Sequence, residues 1–191
     1  MPPAKTICSA VLFCLTAIVF AVCFVMLREV IGGESPWLGL LLMFYFMGLA
    51  KVGEPLFVFR MPSFIREVRS WETKGIIYQR MGVQRFGQLL RASPFRLLNT
   101  SVYLAKRPWD LQSLCRHAAS FEATHFWAAL MFTPYIAFVW VRGQAAVAAL
   151  FLVIQVLFNI YPILHLRFLR GRLGTILARH RRERMAPPAG S

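Results

Sequence analysis

Apolar residues along this chain gather into four long runs, at 7–27, 37–59, 118–140 and 144–166, and polar positions are largely confined to the segments between them. Each run is about 20 residues, the length a helix needs to cross roughly 30 Å of hydrocarbon at about 1.5 Å per residue. The pattern predicts an all-α integral membrane protein: four transmembrane helices forming a single domain over 1–173, with a basic tail at 174–191. Gly32-Gly33 and Gly143 mark two short turns. Ser35-Pro36 supplies an N-cap and a first-turn proline for the second helix. The first run could pass for a signal peptide, but Arg28-Glu29-Val30 follows it without a small-residue cleavage site, so a retained helix is expected.

The segment 60–116 is too long for a connector between neighbouring helices, which typically takes about 2–8 residues. Within it Phe64, Ile65, Val68 and Trp71, then Ile76, Ile77, Met81 and Phe86, recur between arginines at broadly helical spacing. One or two amphipathic helices lying in the headgroup layer are expected. Pro94 interrupts the pattern, and Pro108-Trp109-Asp110 starts a helix that runs on into the third span.

Charge then orients the chain. Of 191 residues 58% are hydrophobic and only 16% charged, yet Lys+Arg outnumber Asp+Glu by 22 to 8. Nineteen of those 22 cations lie at Lys5, in 60–116, or from Arg167 onward, whereas the two short turns hold only Arg28 and Arg142. Cations are retained on the cytosolic side, so a multi-pass protein of the cell membrane with both termini cytosolic is expected. The same asymmetry explains a pI near 10.8 through contact with anionic membrane lipids, with no nucleic acid as partner. The cluster Arg179-His180-Arg181-Arg182-Glu183-Arg184 reads as a membrane-surface anchor that fades into disorder. Cys8, Cys14, Cys23 and Cys115 have no spacing suited to disulfides or zinc.

The informative residues are the polar ones inside the spans, because a charge near the bilayer centre costs about 2.5–3.5 kcal/mol even on the most lenient scale. Counted from the cytosolic edge by helical rise, Glu54 and Glu122 lie about 9 Å in, Asn159 about 12 Å, and Lys51 and His125 about 13 Å. Glu122-x-x-His125 and Lys51-x-x-Glu54 are both i,i+3 pairs on a helical face. Glu122 can orient His125 as a general base, and Asn159 can hold a substrate oxygen or stabilise an oxyanion. Tyr161 and Pro162 introduce a kink that turns backbone groups toward a cavity, and Arg167, Arg170 and Arg172 are spaced to gather phosphates. A metal on Glu122, His125 and His165 has suitable ligand types but an ill-placed third ligand, and there is no second Glu-x-x-His for a di-iron site.

Arg116-x-x-x-x-x-Glu122-x-x-His125-x-Trp127, then Asn159-x-Tyr161-Pro162, then Arg167-x-x-Arg170-x-Arg172-Leu173, resemble the small membrane acyltransferases typified by glycosyl-4,4'-diaponeurosporenoate acyltransferase. Trp71-Glu72-x-Lys74-Gly75-x-x-Tyr78 is similar to that family's first cytosolic motif. The chain departs from the pattern at Leu166 and Leu169, where Gln and Asn are expected. The resemblance implies transfer of a fatty acyl group to a sugar hydroxyl of a glycosylated carotenoid acid, in carotenoid biosynthesis of the staphyloxanthin type. It places Glu72 and Tyr78 at the substrate site.

Residues and resemblance together define the expected chemistry. His125, oriented by Glu122, removes the proton of a lipid-soluble acceptor. Asn159, with Lys51, stabilises the oxyanion. Arg116, Arg167, Arg170 and Arg172 hold the phosphates of acyl-CoA, which is a co-substrate rather than a cofactor; no metal or other cofactor is expected. Lys51, Glu54 and Tyr161 complete the substrate-binding set, and association with other enzymes of the pathway is anticipated. Two alternatives stay open: a non-catalytic multi-pass subunit whose polar layer only joins helices, and a small membrane methyltransferase or reductase, for which there is no glycine-rich nucleotide signature.

Overall fold

In the computed structural model the described residues are 3–33, 35–56, 61–69, 72, 75–94 and 111–185, with side chains described at all of these except 3–5, 55 and 181–185. Arg60, Trp71, Lys74 and the Pro108-Trp109-Asp110 helix start lie outside them. Among the described residues there is no strand, and four helices are long and apolar enough to cross a membrane: Thr6–Ile31, Pro36–Gly53, Leu111–Val141 and Ala145–His180. The expected all-α membrane class is thus the observed one.

The first two spans are α1 (Pro3–Ile31) and α2 (Pro36–Gly53). Gly32, at φ 83°, makes the turn between them, and Ser35 occupies the N-cap without a side-chain cap bond. α2 stops earlier than hydropathy indicates. Pro55 has no N–H to give the Lys51 carbonyl, which is met instead by the Glu54 N–H, and a 3₁₀ turn follows over Glu54–Leu56. Glu54 therefore sits just past the helix end, not within the span.

Among its described residues, the segment expected to form one or two amphipathic helices shows short ones: α3 (Ser63–Arg66), α4 (Ile76–Arg80) and α5 (Val83–Ala92). Gly75 and Gly82, both at φ 72°, cap α4 and α5 in the left-handed region and so break the periodicity. Phe64, Ile76, Ile77, Met81 and Leu89 stand exposed among arginines, the surface an interfacial segment presents. Pro94 follows the end of α5, as expected.

The third span is α6 (Leu111–Val141), which contains Pro134. After the turn at Gly143 the chain continues through α7 (Ala145–Gln155), a π turn (Val156–Ile160) and α8 (Tyr161–Met185). The basic cluster expected to be fading into disorder is thus helical as far as Met185.

Two compact units divide these elements: residues 1–61 with 121–163, and residues 62–120 with 164–191. The core of the first unit is Met43, Phe132, Ile136, Val139, Ala148 and Phe151. Phe132 and Phe151 meet edge to face at 5.7 Å, and α1 is tied to α2 by the Tyr45 hydroxyl, which donates to the Ala17 carbonyl at 3.1 Å. Glycine sets the closest approach: a Cβ on Gly39 would fall 2.0 Å from Phe151 Cζ, whereas one on Gly48 would meet Phe20 at 3.5 Å. Gly39→Ala should accordingly destabilise the detergent-solubilised protein by about 1–3 kcal/mol through overpacking. Gly48→Ala should leave its melting temperature nearly unchanged, and equal melting of both variants would contradict this packing.

Candidate functional site

In the first unit the polar residues of α6 and of the helix after Gly143 converge. Glu122 and Asn159 are fully buried, and Thr124 and Gln155 nearly so. Gln155 Nε2 donates to the Ala129 carbonyl at 2.9 Å and lies 3.3 Å from the Thr133 hydroxyl. A carbonyl can only accept, so the Gln155 amide is oriented with Oε1 toward Asn159, whose Nδ2 donates to it at 2.8 Å. That in turn orients Asn159: its Oδ1 is buried and makes no hydrogen bond.

His125 lies within reach of the Asn159 side chain and the Phe158 backbone, and its Nδ1 is likewise buried with no hydrogen-bond partner. The local helix geometry explains this placement. Pro162 has no N–H to give to the Phe158 carbonyl one turn earlier, and the π turn Val156–Ile160 shifts the register at Asn159. An imidazole nitrogen and a nearby amide oxygen thus lie buried with unmet hydrogen-bonding capacity among the few polar groups of these spans, an arrangement retained in folded proteins chiefly at working sites.

Sequence spacing alone singled out His125, Asn159 and Glu122. It missed Gln155, although Gln155-x-x-x-Asn159 is an i,i+4 pair on one face of an apolar helix. Glu122 is buried one helical turn before His125. Lys51 pairs with Glu54 at 2.6 Å and lies 4.7 Å from the Phe121 ring centroid, with its side chain 45% exposed. Among the described residues no group of three His, Cys, Asp or Glu side chains comes together as a metal site would require.

The second unit carries a separate cluster. Glu72 is 5% exposed and accepts from three sides: Arg167 Nε at 2.5 Å, the Arg69 N–H at 2.6 Å and the Tyr78 hydroxyl at 3.0 Å. Arg167 Nη2 reaches the other Glu72 oxygen at 3.1 Å and the Glu67 carbonyl at 2.7 Å, while Nη1 donates to the Ile65 carbonyl. Burial pushes the Glu72 carboxyl up, but the hydrogen bonds from Arg167, Arg69 and Tyr78 and the Arg167 charge outweigh it, leaving the carboxyl below its ordinary value.

Gly75 explains the glycine of the same motif, since a Cβ there would stand 3.0 Å from the Phe168 ring, itself 5.4 Å from Tyr78. Glu72, Tyr78 and Arg167, expected at the substrate, are therefore brought together as a clamp that ties the interfacial segment to α8. Arg170 donates to the Arg66 carbonyl at 2.5 Å, Arg172 lies 5.7 Å from the Phe168 ring, and Arg116 is exposed. His165 is buried against Gly87, where a Cβ would come within 2.4 Å of its ring.

Membrane-length helices and a buried histidine and asparagine carried on two of them define the class, a small polytopic membrane protein with polar groups buried inside its spans. The sequence profile of the glycosyl-4,4'-diaponeurosporenoate acyltransferase family matches residues 61–179, more than half of the chain, and the chain belongs to that family. Its class is thereby that of the membrane acyltransferases of the carotenoid pathway. No curated protein and no solved structure matches the chain. The match takes in His125, Asn159, Gln155 and the whole Glu72–Arg167 clamp, and leaves out α1 and α2.

Proposed function

We propose that the protein is an O-acyltransferase that moves a fatty acyl group from acyl-CoA to a sugar hydroxyl of a glycosylated carotenoid acid or a similar glycolipid. The observation that carries this reading is the pair of buried, unpartnered atoms His125 Nδ1 and Asn159 Oδ1 in a chain of this family. An imidazole that gives its ring proton to the Phe158 carbonyl keeps a lone pair on its second nitrogen. Beside it the amide oxygen of Asn159, oriented by Gln155, is also an acceptor. Two neighbouring acceptors suit two neighbouring hydroxyls, which is what a sugar ring presents.

The reaction runs as follows. The imidazole lone pair takes the proton of one hydroxyl while Asn159 Oδ1 accepts from the next, fixing the ring. The deprotonated oxygen attacks the thioester carbonyl, the remaining Asn159 N–H is available to the developing oxyanion, and the C–S bond breaks as the imidazolium returns its proton to the departing thiolate. Glu122, buried one helical turn before His125, is assigned to steadying the imidazolium through its charge, not through a bond to either ring nitrogen. Arg116, Arg170 and Arg172, with the exposed Arg66, Arg69, Arg80, Arg85 and Arg91, make the second unit strongly basic and are assigned to the CoA phosphates. Arg167 is assigned to holding Glu72 instead.

The test is mass spectrometry of membranes given a glycosylated carotenoid acid and an acyl-CoA. A product heavier by one fatty acid less one water, formed only with the protein present, is expected. Acylation on the carotenoid portion rather than the sugar would shift the acceptor assignment, and no product with any acyl donor would refute the reading.

A further inference from the structure

Away from His125 and Asn159, charge and cavity coincide in the first unit at the end carrying the two short turns. A cavity of about 610 Å³ opens there, walled by Phe24, Phe46, Tyr135 and Phe138 and bordered by Arg28 and Arg142. We propose that it binds the phosphate headgroup of an anionic phospholipid, with the upper part of one acyl chain against the aromatic wall. The proposal does not depend on the acyl-transfer reading.

Arg28 and Arg142 are the two cations of the short turns, 114 positions apart in the chain, yet they border one cavity. Like charges brought together repel unless an anion lies between them. Neither belongs to the ion pairs seen among the described residues, such as Lys51 with Glu54 and Arg167 with Glu72. Both guanidiniums are also placed by their surroundings. Arg142 lies 6.0 Å from the Phe138 ring centroid, and a Cβ on Gly33 would fall 3.1 Å from Arg28 Nε, so the bare glycine gives Arg28 room against the turn.

Depth favours a lipid over a free anion. Trp37 and Trp140 stand exposed at the neighbouring helix ends, where tryptophan marks the membrane–water interface. The arginines then lie at headgroup level, and the cavity becomes apolar below them through Phe24, Phe46 and Leu42. Polar at its rim and aromatic inside, within the volume range of small-molecule sites, it has the shape of an amphiphile's upper half.

The experiment is native mass spectrometry of the full-length protein in mild detergent, titrated with phosphatidylglycerol or phosphatidylcholine. One phosphatidylglycerol should be retained about tenfold more tightly than phosphatidylcholine, and Arg28→Gln/Arg142→Gln should remove that preference. Arg179→Gln/Arg181→Gln, which reduces the charge of the basic end of α8, should leave this lipid bound. Should the double variant fail to fold, Arg28→Gln and Arg142→Gln singly should each lose part of the preference. Survival of the preference in folded Arg28→Gln/Arg142→Gln, its loss in the α8 variant, or displacement of the lipid by millimolar inorganic phosphate would overturn the proposal.

Discussion

His125→Ala should reduce acyl transfer by roughly 10²–10⁴-fold, the contribution expected of a positioned general base, while the protein inserts and melts as the parent does. The side chain is held by reach to Asn159 and the Phe158 backbone, and its Nδ1 is unpartnered, so its removal breaks no strong ion pair. Product formed per mole of membrane-inserted protein is the measurement, with far-UV circular dichroism and thermal melting in detergent alongside. Full activity of a folded His125→Ala protein would exclude the imidazole as base. Gln155→Leu separates orientation from packing. It removes the group that orders the Asn159 amide through the 2.8 Å bond, so it should impair the rate at saturating donor, and Gln155→Glu, which keeps an acceptor toward Asn159 Nδ2, should restore part of it.

Breaking the Glu72–Arg167 pair should have the largest effect on stability. Glu72 is 5% exposed and the Arg167 side chain 12%, so Glu72→Ala leaves a guanidinium buried without its counter-charge, at an expected cost of about 3–5 kcal/mol. Arg167→Lys should be milder but still destabilising, because an ammonium cannot serve Glu72 and the Ile65 and Glu67 carbonyls from one plane. The pair also fixes the acid response. The folded Glu72 carboxyl lies below its ordinary value of 4.5, so its stabilisation is fully present above that value and is lost as pH falls from there through the folded value. Melting temperature recorded across this window should fall more steeply for the parent than for Glu72→Gln. Parallel curves would place the acid sensitivity elsewhere.

These two sites differ in how far each is legible in the sequence. The four spans, the turns at Gly32 and Gly143, and the position of His125 and Asn159 as polar residues inside apolar runs depend on hydropathy and local spacing, which are properties of neighbouring residues. The Glu72–Arg167 pair joins residues 95 apart. Nothing local distinguishes Arg167 from the arginines around it, so its phosphate-binding assignment rested on charge alone. Gln155 escaped notice because a neutral amide raises no alarm in an apolar run; only its bond to the Ala129 carbonyl reveals that it orders Asn159. Glu54 was misplaced because the hydropathy of the following residues conceals a helix stop that Pro55 enforces through a missing N–H. Among its described residues the interfacial segment is punctuated at Gly75 and Gly82, which take the left-handed conformation ahead of α4 and α5, an outcome apolar periodicity does not encode.

The π turn at Val156–Ile160 bears on how this stretch of chain should be compared with its relatives. One residue more than an α-helical turn advances the facing direction by about 100°, so α7 and α8 keep two separate angular frames within one continuous rod. A helical wheel drawn straight through the span puts residues beyond Ile160 on faces they do not occupy. A one-residue gap in an aligned relative between Val156 and Ile160 would therefore be more than a length difference: with the extra residue gone, the rod would regain a single frame, and Asn159 would turn away from His125 with little change in how far the helix extends.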